Sequence, residues 1–406
     1  MFTNIMFMVI IKRLKDKRNI QRLGDWIWIC GRRKTGKTFF VKNFLKHDEY
    51  FFVNRDGSVL RNNQKLDYET FFELFKELIK TKIIVIDEFH RLPEEFFDYL
   101  HANKQGKLIA VSSTLWLSKK LLGKGSALTG LFSLYIFGLI DEFDVIKSLK
   151  SLKLDKKELV EASVYLREPL IAYNYKPKIR SNLAIFLEAN KLAISEIIGE
   201  IFNEESRELS LVYDGILKAI ANGKNTSGEI TSYLFSHKII KKDNPGLIQR
   251  YLDVLMKIGL IERIEVYKKK RFYYKIISPL FDLHYYLEEK YSYTENLINE
   301  TFIRKVIDEK LPYHIEDFFA NVLAKKYGLK KVKIQEPEID IALTNFKKIW
   351  LIAEVKWKKN ITKEHIIKIE NKFKPFKCKK FLIVPDRSKI RFKLNDVEII
   401  DIDDLI

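Results

Sequence analysis

The stretch Trp26 to Thr38, WIWICGRRKTGKT, constrains the chain most: an apolar run stops at a glycine-bracketed loop. Trp26 to Cys30 is aromatic and β-branched without a turn former, which predicts a buried strand. Gly31 breaks that strand. The spacing from Gly31 through Gly36, Lys37 and Thr38 lets backbone N–H groups wrap a phosphate at the start of a helix expected over Phe39 to Leu45. The pattern predicts a nucleotide-binding loop in which Gly31, Arg32, Arg33, Lys34, Thr35, Gly36, Lys37 and Thr38 surround ATP. Lys37 is expected on the terminal phosphates and the Thr38 hydroxyl on Mg2+. A coincidental Gly-Lys-Thr turn is the alternative, and the preceding strand argues against it.

A second element, KIIVIDE from Lys82 to Glu88, completes such a site. Ile83 to Ile86 predict a buried parallel strand whose C-terminal edge carries Asp87 and Glu88, where α/β sheets bind ligands. Asp87 is expected in the magnesium shell and Glu88 as the general base that polarises the attacking water. A third strand, Lys107 to Val111, leads to Ser112, Ser113 and Thr114, where a polar side chain either senses the γ-phosphate or caps a helix. Strands and helices alternate from about Asn19 to Asp144, the pattern of a parallel α/β sheet.

With 406 residues the chain has room for several cores. A formal net charge of +19 makes nucleic acid, DNA first, the partner to consider, against a background of a Lys- and Ile-rich proteome. No apolar run is long enough to span a membrane, so stable membrane insertion is not expected. Met1 to Ile11 is apolar but short, and its basic cluster follows it, the reverse of a signal peptide. A start at Met6 or Met8 explains it without function; a membrane anchor is the reading ranked last. Two distant cysteines, Cys30 and Cys378, fit a reducing cytoplasm.

Residues 145–207 have helical periodicity, as in a lid beside the nucleotide site, with a break near Pro177. Residues 208–290 predict a winged helix, with helices over Leu211 to Ala221, after Ser227, and from the Asn244 cap to Gly259. In the last of these, Ile248, Leu252, Leu255 and Ile258 face a core and leave Gln249, Arg250, Asp253 and Lys257 to solvent, as on a recognition helix. Lys268, Lys269, Lys270 and Arg271 fall at a hairpin tip suited to phosphates. A protein-docking module is the competing reading.

Residues 291–406 carry a second constellation in the order α-β-β-β-α-β. A helix from Ile315 to Tyr327 holds Glu316 near its apolar side. The strands Pro337 to Leu343 and Ile349 to Trp357 present Asp340, with Glu338 on its face, and Glu354 followed by Lys356. Two carboxylates on neighbouring strands and a lysine are what metal-dependent phosphodiester hydrolysis requires. Asp340 and Glu354 are expected to hold Mg2+, Glu316 as an outer ligand, and Lys356 to orient water or neutralise charge. Asp401, Asp403 and Asp404 read as a solvated acidic tail.

With these parts placed, the chain resembles the archaeal ATPase family, a branch of the AAA+ and STAND-type P-loop proteins. The resemblance rests on GRRKTGKT at Gly31, IDEFH at Ile86, SST at Ser112, RYLDVLMKIGLIER at Arg250, YKIISPLFDLHYY at Tyr274, EIDIAL at Glu338 and EVKW at Glu354, and covers nearly all of the chain. It implies an α/β architecture: a P-loop ATPase core over 1–144, helical lid, winged-helix domain, and a restriction-endonuclease-like C-terminal domain of the PD-(D/E)xK kind. Where the family places an arginine after a glycine, this chain has Gly130-Leu131, which leaves Arg32 or Arg33 as candidates to serve a neighbouring subunit of a homo-oligomer. Its acidic-basic motif before the first strand is represented only by RLKDKRNIQRL. Two functions follow as expectations: an ATP-gated, metal-dependent nuclease acting on DNA, or a nucleotide-dependent switch whose nuclease-like domain only binds.

Overall fold

The computed structural model describes residues 9–123, 126–173, 175–205, 207–358, 361–390, 394 and 396–406, so Met1 to Met8 of the apolar start lie outside it. A helix α1 (Leu14–Ile20) precedes β1 (Trp26–Cys30), all five of whose residues are buried. The chain continues through α2 (Lys37–Phe44), β2 (Glu49–Val53), β3 (Val59–Arg61), β4 (Gln64–Leu66), α3 (Tyr68–Leu78), β5 (Ile83–Asp87), α4 (Glu94–Ala102), β6 (Lys107–Ser112), α5 (Trp116–Leu121) and β7 (Ser133–Ile136). These strands form one sheet in the order β4-β3-β2-β5-β6-β1-β7, parallel from β2 to β7.

Both faces of this sheet are covered. Trp26, Trp28 and Cys30 join Phe89 and Phe96 on one side, while Ile27 and Ile29 meet Phe40 and Val41 on the other. That is why β1 reads as one unbroken apolar run. Because β6 lies between β1 and β5, the C-terminal ends of all three adjoin. The strands expected from sequence at Trp26 to Cys30, Tyr50 to Val53, Ile83 to Ile86 and Lys107 to Val111 correspond to β1, β2, β5 and β6; the β3–β4 hairpin and β7 are additional.

The next segment is helical: α6 (Glu142–Leu149), α7 (Lys156–Tyr165), α8 (Pro169–Ala172) and α9 (Ile179–Glu204), the last interrupted at Asn190 with φ −119° and ψ 16°. It shares its core with the C-terminal half, since Ile179, Leu183 and Leu187 belong to the same cluster as Ile307, Leu311 and Ile315. Then come α10 (Leu211–Ala221), α11 (Ser227–Ser236), a short 3-10 turn Pro245–Ile248, α12 (Gln249–Lys257) and a hairpin of β8 (Ile261–Val266) and β9 (Phe272–Ile276). Ile248, Leu252, Leu255 and Ile258 are fully buried, and Gln249, Arg250, Asp253 and Lys257 exposed.

The C-terminal half comprises α13 (Pro279–Tyr291), α14 (Glu300–Tyr327), β10 (Lys330–Gln335), β11 (Glu338–Asn345), β12 (Lys348–Val355), α15 (Lys363–Phe373), β13 (Lys379–Ile383) and β14 (Glu398–Ile400). Three findings depart from expectation. The helix carrying Glu316 begins at Glu300, because buried residues continue at helical spacing across Pro312. The hairpin is not separate from the last strands: β8 pairs in parallel with β10, giving one sheet, β14-β13-β12-β11-β10-β8-β9. A boundary at residue 290 therefore cuts through a shared sheet. Finally, Asp401 of the acidic end is docked rather than solvated, being fully buried and accepting from Lys156 Nζ at 2.8 Å and Arg387 N–H at 3.0 Å, while Asp403 is exposed. No helix among the described residues is long and apolar enough to cross a membrane.

His284 on α13 lies against α9, with its Nδ1 2.5 Å from the Tyr293 hydroxyl and Nε2 3.4 Å from Ser195 Oγ. Burial, helped by nearby Lys218, pushes its imidazole down to about 3. Below the ordinary value of 6.5 the unfolded chain binds a proton that the folded chain refuses, so stability present above that pH is lost as pH falls towards about 3. Acidification from about pH 7 to about pH 5 should cost the wild type about 2 kcal/mol more than His284→Gln. Parallel melting curves of the two proteins across that range would refute this.

Candidate functional site

The loop between β1 and α2 is shaped by backbone. A Cβ on Gly31 would lie 2.1 Å from the Phe137 carbonyl oxygen, since Phe137 N–H donates to the Cys30 carbonyl at 2.7 Å and holds the two chains together. Lys34 and Gly36 take left-handed conformations, φ 64° and 86°, the backbone type from which anion-binding concavities are built. Lys37 opens α2. Its buried ammonium donates to the carbonyls of Gly31 at 2.8 Å and Arg32 at 2.9 Å, and burial, opposed by Glu88 and Asp87, lowers it to about 8.

The ends of β5 and β6 face this loop. Asp87 Oδ2 accepts from Thr38 Oγ1 at 2.6 Å and from the Tyr50 hydroxyl at 2.7 Å. Glu88 follows in the left-handed region, φ 58°, and its Oε2 accepts from Ser113 Oγ at 2.8 Å. Of the three polar residues at the end of β6 and just beyond it, Ser112 accepts from Trp28 Nε1 at 3.0 Å and Thr114 meets Ser118, so Ser113 alone reaches the site. A cavity of about 630 Å³ opens here, lined among others by Arg33, Lys34, Lys37, Thr38, Glu88 and Ser113. Its hydroxyl and carboxylate oxygens are a hard donor set that fits a magnesium-bound triphosphate.

Two loop residues do not serve as expected. Arg32 is turned away from the cavity, its Nη2 2.5 Å from Glu168 Oε2 and its guanidinium over the Phe281 ring. Buried in this way, its side chain does not line the cavity. Thr35 is fully buried and donates to the Arg32 carbonyl at 3.1 Å, which shapes the loop from within. Arg33 lines the cavity, but it too is engaged within the chain, with Glu200 at 2.7 Å and Glu204 at 2.9 Å.

Other residues were not singled out in sequence. Arg13, inside RLKDKRNIQRL, donates to the carbonyls of Thr35 and Gly138, each at 2.8 Å, and fixes the loop from behind. Glu204, the last residue of α9, meets Arg33, Arg91, Ser113 and His90; the His90 contact, then Arg91, holds its carboxyl far below the usual range. Glu88, His90 and Glu204 form the one set of three ligand-type side chains, among the described residues, whose atoms all lie within 4.8 Å. No short motif marks Glu204, which is 171 residues from Arg33.

The C-terminal constellation also assembles. Asp340 Oδ2 accepts from Val355 N–H at 2.9 Å, and Asp340 N–H points to Glu354 Oε1 at 3.4 Å. Glu354 is buried between Lys356, at 3.0 Å, and Lys372. Burial, then Asp340, pushes the Glu316 carboxyl up to about 8. Glu338 stands apart, exposed and paired with Lys333. Thus Glu316, Asp340, Glu354 and Lys356 share one neighbourhood, yet the three carboxyls are not a preformed ligand set of the kind found at Glu88.

Residues 24–137 match the family model described as an AAA domain. The strands β1, β2, β5 and β6 and the loop between β1 and α2 lie within that matched segment. The whole chain is similar to an uncharacterized protein of Methanocaldococcus jannaschii, 26% identical over 86% of each chain. Among solved structures, a Walker-type ATPase of Pyrococcus abyssi is similar at 16% identity, covering 68% of this chain and 96% of that one with a TM-score of 0.43. The ORC2 protein of Aeropyrum pernix is similar at 12% identity, covering 76% and 94%, with a TM-score of 0.38.

Gly31→Ala forces a methyl group into the Phe137 carbonyl and should cost about 1–3 kcal/mol of stability, whereas Gly24→Ala, with nothing within 4 Å, should cost little. Thermal unfolding of the pair checks the loop geometry; equal melting temperatures would contradict it.

Proposed function

We propose that the protein binds ATP with magnesium, hydrolyses it, and uses the cycle to govern contact with DNA. The observation that carries this is the convergence of Lys37, the Thr38–Asp87 pair and the Glu88–Ser113 pair on one cavity at the C-terminal edge of three adjoining strands. Lys37 leaves its carbonyl partners for the terminal phosphates. Thr38 and Asp87 would hold the magnesium ion, which neutralises phosphate charge when bound. Glu88, pinned by Ser113, takes the proton of the attacking water, and the N–H groups of the loop stabilise the charge on the transferred group.

The DNA contact is supported by the net charge of +19 and by the exposed face of α12, Gln249, Arg250 and Lys257. We read α10 to α12 with the β8–β9 hairpin as a winged helix. Lys268 and Lys270 are exposed at its tip, while Lys269 and Arg271 already face Glu336 and Gln335.

A second reading, DNA cleavage, is favoured by one observation: Glu316, Asp340, Glu354 and Lys356 meet although they come from three elements. Asp340 and Glu354 would hold Mg2+, which polarises a phosphodiester when bound. Glu354 is already neutralised by Lys356 and Lys372, so a lysine has to give way first.

Lys37→Ala should lose nucleotide binding, and Glu88→Gln should keep it while turnover falls about a hundredfold or more. Wild-type turnover in Glu88→Gln would sink the hydrolytic assignment. Asp340→Ala should abolish manganese-dependent cutting of supercoiled, linear or branched DNA without changing ATP turnover. If wild type leaves all three intact, cleavage is excluded and the nucleotide-dependent switch takes its place.

A further inference from the structure

Glu204 is held by an unusual number of donors for one carboxylate. Its oxygens lie 2.9 Å from Arg33 Nη1, 3.1 Å from Arg91 Nη2, 3.1 Å from Ser113 Oγ, 3.4 Å from Arg55 Nη2 and 3.5 Å from His90 Nε2. Those donors belong to the phosphate loop and to the segments after β2, β5 and β6. Four strand ends therefore point at one anion, in the place where an α/β sheet of this order receives phosphate. Arg33, Arg91 and Ser113 also line the cavity that holds Lys37 and Thr38.

The donors exceed what a carboxylate uses. Two guanidinium groups within 3.1 Å, a hydroxyl and an imidazole suit a group with more than one negative charge and three acceptor oxygens, the description of a terminal phosphoryl group. A divalent cation on Glu88, His90 and Glu204 is the competing reading of the same cluster. It is disfavoured by charge, because Arg91 lies 3.7 Å from Glu88 and 3.1 Å from Glu204 and Arg33 and Arg55 crowd the same carboxylate.

We propose that Arg33, Arg91 and Ser113 form the subsite for the terminal phosphoryl group of a nucleoside triphosphate, and that Glu204 occupies it until that group arrives. The inference rests on nucleotide binding at Lys37 and names its regulation. Two anions cannot share the subsite, so a triphosphate displaces Glu204 and a diphosphate leaves it in place. Displacement frees the C-terminal end of α9, which leads into α10.

The test uses the full chain and measures calorimetric affinity for Mg-ADP and for Mg-bound β,γ-imido ATP. Glu204→Gln should tighten the imido analogue about tenfold, the return from removing a closed state that competes with it, and leave ADP unchanged. Arg91→Ala should weaken the analogue selectively. Equal effects on both nucleotides, or none, overturn the subsite while Lys37-dependent binding of both keeps the nucleotide site itself. Failure of wild type to bind either nucleotide overturns both. Hydrogen exchange on the wild type covers the case of a variant that does not fold: the analogue, and not ADP, should speed exchange over residues 195–205, and identical exchange with both refutes the displacement.

Discussion

The buried ion pair of Arg32 with Glu168 sets the geometry on which the nucleotide loop depends. Both side chains are out of water, 6% and 1% exposed. A pair so buried contributes little net stability, because desolvation offsets its attraction, and its consequence is one of placement. It draws the Arg32 guanidinium out of the loop towards α8, and the Ser278 hydroxyl donates to the same carboxylate at 2.7 Å. The carbonyls of Gly31 and Arg32 are left facing inward, where Lys37 finds them. Arg13 holds the opposite flank through the Thr35 carbonyl. The loop is thus fixed from two sides by residues that do not line its cavity.

How much of this was legible depended on the range of the cause. The strands β1, β5 and β6 were readable because sheets covered on both faces write continuous apolar runs into the chain. The β3–β4 hairpin left a local signal too, Asn62-Asn63, which adopt φ 47° and 66° as a tight turn requires. The first half of α14 was hidden by Pro312, which reads as a stop when only neighbours in sequence are considered. The docking of Asp401 needs Lys156, 245 residues away, and no periodicity reports such a pair. Around the cavity, the grouping of Lys37, Thr38, Asp87 and Glu88 was legible from spacing alone. Glu204, Arg91 and Arg13 act through the fold and required it.

Sharing one sheet changes what the hairpin and the carboxylate cluster can do relative to each other. β8 runs beside β10 and the Tyr267 N–H donates to the Lys333 carbonyl at 2.9 Å. β10 in turn pairs with β11, which carries Asp340. Lys275 and Lys331 both reach Glu262 and Asp317, a half-buried network that ties hairpin to α14. Any motion of the hairpin tip against Asp340 would have to break ladder bonds, so the two move as one surface.

What lies between that surface and the nucleotide cavity is α9. Its 26 residues span about 39 Å, with Glu204 at one end among the strand termini. At the other end Arg180 pairs with Glu161 at 2.6 Å, and Glu161 accepts from the indole N–H of Trp357, the residue after Lys356. Arg180 also reaches Asp308 on α14, the helix that carries Glu316. One end therefore touches the nucleotide cavity's arginines, and the other pairs with Glu161 and with Asp308 on the helix that carries Glu316. The helix between them is not a rigid rod, since Asn190 breaks its geometry near the middle. A displacement of the Glu204 end can be absorbed at Asn190 as bending or passed on as a shift. Ile194, Ile198 and Ile201 on one side of that break and Leu183 and Leu187 on the other are all buried in one core, so both halves of the helix are held by the same packing.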